Sequence, residues 1–183
     1  MKNVRFINPI RNSTFMELGR PFFHRPMELT QEECDIYKKL GVNIAPAPDD
    51  KDVFLTDERP TVQTLIIDGF TASHDDAVSA GMDYIELRYN INNLIVKNAN
   101  ILRNDDSDPA GSLIRLHYEG NVKNLLLENV FAEKLESVLK AREGHKIKLL
   151  KATNVTLSGG KKVLDIDGAS VDTCLKTDLT VVE

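Results

Sequence analysis

Four pairs of ionisable residues recur at matching places along the chain. They are Glu86 and Arg88 in YIELRY, Arg115 and His117 in LIRLHY, Lys140 and Arg142 in VLKARE, and Asp165 and Asp167 in VLDIDG. One residue separates the two members of each pair, so on an extended strand both project to the same side. Apolar neighbours such as Ile85 and Leu87 then point the other way. Stacked copy upon copy at ~4.8 Å, the eight groups would form one charged stripe. Crowding of that kind displaces pKa values in both directions, which suits proton transfer and the binding of an anionic ligand. Mixed charges on an outer sheet face also assist strand pairing by themselves.

Acidic loops lead into two of these strands. Ser73-His74-Asp75-Asp76 precedes Tyr84, and Asn104-Asp105-Asp106-Ser107-Asp108 precedes Leu113. If neighbouring copies bring the loops together, Asp75, Asp76, Asp105, Asp106 and Asp108 converge beside Glu86. Such a carboxylate set suits Ca²⁺, a hard cation that takes six to eight oxygen ligands. Asp-rich segments are also good turn formers without any metal.

The elements that must position these residues are repeats. NVRFIN, TLIIDG, NLIVKN, NLLLEN, LLKATN and TCLKTD align on Asn8, Gly69, Asn98, Asn129, Asn154 and Asp178. Four residues before each stands Val4, Leu65, Leu94, Leu125, Leu150 or Cys174. Two before stands Phe6, Ile67, Val96, Leu127, Ala152 or Lys176. That spacing reads as a short half-buried strand stopped by a residue that tolerates positive φ. An upstream strand is expected in each copy, at Phe15–Gly19, Val53–Asp57, Tyr84–Tyr89, Leu113–Tyr118, Val138–Glu143 and Val163–Gly168. A third follows the turn, as at Ala99–Leu102 and Val130–Ala132. Ile85 to Ile114 spans 29 residues, and Ile114 to Leu139 and Leu139 to Leu164 span 25 each. Three strands per ~25-residue turn predict an all-β parallel solenoid of about six coils, with the Asn residues stacked. Leucine-rich repeats fit less well, because a second full strand stands where they place a helix. Hexapeptide helices need a shorter period, ~18 residues.

Bulk properties narrow the classes. The 183 residues fit one domain, 1–183, with 42% hydrophobic and 28% charged residues and a net charge of −5. An acidic balance argues against nonspecific nucleic-acid binding, and no run is long enough to cross a bilayer. MKNVRFINPIRNS has no signal-peptide core, so an extracellular or cell-surface place would require export signals outside this sequence. Cys34 and Cys174 show no metal-ligand spacing and read as free thiols. Trp is absent, which removes a common sugar-stacking platform. The repeat breaks between residues 19 and 52. There LTQEECDIYKKLG carries a capping box, Thr30 with Glu33, and a Gly41 stop, predicting one short inserted helix near 30–40. Strands at both ends without polar caps predict either a longer protein or an end buried by homo-oligomerisation or end-to-end packing.

The coil order of long loop, strand, short turn, strand, Asn and strand resembles the right-handed parallel β-helix of the pectin-lyase-like superfamily, which includes pectate lyases, polygalacturonases and phage tailspikes. The resemblance covers residues 53–183 and, less fully, 1–18. It implies a carbohydrate-active or carbohydrate-binding protein whose polysaccharide partner lies along the charged stripe. Arg115, His117, Lys140, Arg142, Asp165 and Asp167 would then be the catalytic candidates of a lyase or glycoside hydrolase, with Glu86 and Arg88 binding substrate. Ca²⁺ held by the acidic loops would fit a lyase with Arg115 or Lys140 as base. Asp75-Asp76, Gly144-His145 and Lys146-Ile147-Lys148 look like fragments of the polygalacturonase signature, but Asn-Thr-Asp is missing and the last two are contiguous. The alternative is a noncatalytic structural or adhesion solenoid, such as a tailspike-like shaft.

Overall fold

A computed structural model describes residues 2–7, 16–18, 35, 39, 61–74, 83–88, 90–104, 106, 108–117 and 120–183. Within them a short strand and a long strand alternate. The short ones are β2 (Met16–Leu18), β4 (Ile85–Leu87), β6 (Ser112–Leu116), β8 (Ser137–Lys140) and β10 (Lys162–Asp165). The long ones are β3 (Thr61–His74), β5 (Asn90–Arg103), β7 (Val122–Glu133), β9 (Lys146–Ser158) and β11 (Ser170–Val182), with the briefer β1 (Lys2–Ile7) beside them. Every pairing is parallel, and strands of one kind pair only with their own kind. One sheet runs β1-β3-β5-β7-β9-β11 and the other β10-β8-β6-β4-β2. A chain that alternates between two parallel sheets in this order is winding: the protein is a parallel β-solenoid.

The turn residues hold the expected backbone. Asn98, Asn129, Asn154 and Asp178 have φ of 51–55°, and Gly69 in the same column has φ 77°. L-residues other than Asn and Asp adopt this left-handed region at a cost of about 1–2 kcal/mol. The bend leaves ladder bonding intact on both sides, so the second and third expected strands form one continuous long strand and two hydrogen-bonded sheets replace three. Each long strand bends once more: in β5 the burial pattern puts two outward residues, Asn92 and Asn93, between inward Ile91 and Leu94. At the first rung the alignment needs correction. Lys2 pairs with Asp68 and Val4 with Phe70, so Asn3 (φ 52°), not Asn8, occupies the turn column, and Val4 and Phe6 belong after the turn.

Inward residues stack in columns by register. Leu65, Leu94, Leu125, Leu150 and Cys174 make one, and Ile67, Val96, Leu127, Ala152 and Lys176 another. Leu94, Leu125 and Leu150 are fully buried, each contributing about 1.5–3 kcal/mol relative to exposure. On β11 both columns change character: Cys174 and Lys176 are exposed.

About four turns are continuous, from β4 through β11, rather than six. β2 pairs directly with β4 (Met16 opposite Ile85), so these two are adjacent rungs of the short-strand sheet. In chain order, residues 19–60 stand between β2 and β3, where later coils have turns of a few residues. The chain divides into two compact units, one of residues 1–19 with 60–183 and the other of residues 20–59. In the second unit Asp35 and Lys39 are helical and exposed. The rest of the helix expected near 30–40, and Val53–Asp57, lie outside the described residues.

Candidate functional site

The short-strand sheet brings the predicted stripe together. Glu86 pairs in register with Arg115, Arg115 with Lys140, and Lys140 with Asp165, a single column across four rungs. Arg88, His117, Arg142 and Asp167 follow just beyond the strand ends, the first two half-buried and the last two exposed. Most of these charges are neutralised close at hand. Arg88 donates from Nε (3.2 Å) and Nη2 (2.8 Å) to the same oxygen of Glu86. Arg115 donates to the buried Asp83 carboxylate at 2.8 Å. Lys140 pairs with Glu136, which Lys161 also reaches at 3.2 Å. Lys162 pairs with Asp167 and lies 3.9 Å from Asp165.

Three groups on or beside the stripe, Glu136, Asp167 and His117, titrate below their ordinary values. Hydrogen bonds from Lys140 and then Lys161 hold the Glu136 carboxyl below its ordinary range, and Lys162 does the same to Asp167. The His117 imidazole is pushed below its usual value, first by burial and then by the Arg115 guanidinium. Such a stripe has little charge left over for a ligand. Asp83 and Glu136, which satisfy its two central cations, are the residues that sequence periodicity missed, because both stand in the approach to a strand and outside its alternation.

Of the acidic loops, Asp106 and Asp108 are exposed, while Asp75, Asp76 and Asp105 lie outside the described residues. Among the described residues no group of three His, Cys, Asp or Glu is placed to hold a metal ion.

A second site lies on the other sheet, at the extra bend of the long strands. A groove of about 520 Å³ runs there, touching β3, β5, β7, β9 and β11 in turn. Its outward residues form a column, Gln63, Asn92, Lys123, Lys148 and Asp172, fixed by flanking pairs such as Thr64–Asn93, Val122–Ile147 and Thr173–Leu149. At strand spacing, five rungs extend roughly 19 Å along the solenoid axis. Beside it runs a second column with Asn90, Asn121 and Lys146.

Amides line one end and lysines the next stretch. Asn92 donates to Gln63 Oε1 at 2.6 Å, and Asn121 donates to Asn90 Oδ1 at 3.1 Å while accepting the Lys146 backbone N–H at 2.8 Å. Behind them Asn124 donates to Asn93 Oδ1 at 2.8 Å. These bonds fix the amides in place and leave the Gln63 NH₂ and the Asn92 carbonyl oxygen, both on residues that line the groove, with bonding capacity to spare. The signal for this site lies in the outward positions of NINN, NVKN and KIKL, which stand level on successive coils.

Comparison of the chain with protein-family models, curated proteins and solved structures returned no match. The class defined by the coordinates is therefore the parallel β-solenoid.

Proposed function

We propose that this solenoid is a noncatalytic binding module that holds a linear polysaccharide lengthwise in the groove on its long-strand sheet. The observation that carries the reading is the groove itself: five rungs long, open along the axis, and edged by amides held in a fixed orientation. Polymer chains need an elongated site, and sugar hydroxyls both donate and accept, as amides do. Its volume falls within the ~300–1,000 Å³ typical of small-ligand sites, enough for a few sugar units. The self-paired charges of the short-strand stripe support binding without cleavage, because an acid or base already engaged in an ion pair is poorly placed to exchange protons with a substrate. The coil plan and the asparagine ladder support kinship with pectin-lyase-like β-helices.

The test is a panel of neutral and acidic linear polysaccharides in affinity electrophoresis, with the same mixtures assayed for new reducing ends and for unsaturated products. The expected result is retarded migration with at least one polymer and no product with any. Cleavage of a polymer, or no retardation by any of them, would overturn the reading.

A further inference from the structure

We infer that Lys123, Lys146 and Lys148 form an anion-holding subsite within the groove, taking a carboxylate or sulfate group carried by a polysaccharide; this rests on the function proposed above. Lys123 and Lys148 stand opposite each other on adjacent rungs, between the register pairs Val122–Ile147 and Asn124–Leu149. Lys146 and Lys148 flank the buried Ile147 and are both exposed on the outward side of β9. The backbone positions thus form a triangle with sides of ~4.8 Å across the ladder and roughly 6.6 Å along the strand.

Like charges directly opposite on neighbouring strands are unfavourable. In a chain of net charge −5, carboxylates are plentiful enough to relieve them. On the short-strand stripe Arg88, Arg115, Lys140 and Lys162 each have a carboxylate partner. Yet among the described residues none of the three groove lysines takes part in an ion pair. Asp172, next in the column after Lys148, is exposed and closes that end of the groove without pairing to it. Three ammonium groups outside any ion pair among the described residues, beside fixed amides, make a site with a direction. Neutral sugar hydroxyls match Gln63 and Asn92, and an anionic substituent one or two units further on matches the lysines. Ammonium groups on flexible stems act as point charges and accept either anion geometry.

The experiment compares wild type with the triple variant Lys123→Gln, Lys146→Gln, Lys148→Gln. Affinities are measured by titration calorimetry against a neutral polysaccharide, a uronate polymer and a sulfated polymer, each at low and high salt. Wild type is expected to prefer at least one acidic polymer to the neutral one by about tenfold, a preference that salt erases. The triple variant is expected to bring the ratio to about one, and the uronate and sulfate arms tell which anion is used. An acidic-to-neutral ratio that is already one in wild type, or that survives in the triple variant, overturns the subsite while leaving the groove reading intact. Failure of wild type to bind any of the three polymers overturns both. Circular dichroism and the melting temperature of the variant are recorded first, and Lys148→Gln alone, expected to lower the ratio in part, serves if the triple variant fails to fold.

Discussion

Asn129 donates its side-chain amide to Asn98 Oδ1 at 3.1 Å, and Asn154 donates in the same sense to Asn129 at 3.0 Å. The ladder starts one rung earlier, where Asn98 donates to Asp68 at 2.7 Å because Gly69 has no side chain to offer. All the bonds run the same way along the axis. The asparagines are exposed rather than buried, so their contribution is set by the left-handed backbone and by exposed amide bonds rather than by an unsatisfied buried group.

Asn129→Ala should therefore cost about 2 kcal/mol in urea unfolding, combining the left-handed backbone penalty with two weakened ladder bonds. Asn129→Gly should cost less, about 1 kcal/mol, since Gly69 shows that glycine suits this column. Equal losses for Ala and Gly would mean that the backbone conformation plays no part.

Asp83 is nearly buried and accepts from Arg115 at 2.8 Å. Asp83→Asn should destabilise the fold by about 1.5–3 kcal/mol, the range for a hydrogen bond to a charged group. Polysaccharide binding in the groove should be unaffected, because the pair lies on the other sheet. Urea midpoints and affinity electrophoresis check the two halves of this expectation.

His117 supplies a pH dependence. Burial depresses its pKa, Arg115 and Arg88 add to the effect, and Glu86 and Asp83 oppose it. The unfolded chain thus takes up this proton at a higher pH than the native state does. Stability from this group is fully present above the unfolded value near 6.5. It declines as pH falls and is fully lost below the lowered native pKa. Titration of the imidazole by NMR should give a midpoint below 6.5, and His117→Gln should flatten the acid limb of stability in that window. A midpoint above 6.5 would contradict the burial argument.

Lys176 occupies the inward column that holds Ile67, Val96, Leu127 and Ala152 on earlier rungs. A charge pointing inward on an edge strand discourages further strand addition. Lys176→Leu, by joining exposed Val181 and half-buried Leu179 in one apolar end face, should increase self-association. Sedimentation velocity at matched concentrations would show it, and an unchanged sedimentation coefficient would count against the role.

Much of the winding is legible in the sequence because apolar residues recur four and two positions before the turn on the rungs of Leu65, Leu94, Leu125 and Leu150. What escaped follows from local ambiguity. NVRFIN carries Asn at both ends, and Val4-x-Phe6 fits the strand after a turn as well as the strand before one; only pairing with Phe70 and Ala72 decides for Asn3. The charged column Glu86–Arg115–Lys140–Asp165 was visible through its alternation. Its neutralisation by Asp83 and Glu136 was not, since loop side chains reach partners that no period predicts. The groove was hidden for another reason. It sits where Asn92 and Asn93 break the alternation, and its lysines are cancelled in any count of net charge.

The most direct test of the account is residue-resolved NMR of the intact protein as a bound polysaccharide is titrated in. The side-chain amide signals of Gln63 and Asn92 and the ammonium-bearing carbons of Lys123 and Lys148 should shift together, while the His117 ring and Arg115 Nε stay still. Shifts at His117 and Arg115 with the groove silent would place the ligand on the charged stripe and contradict the account.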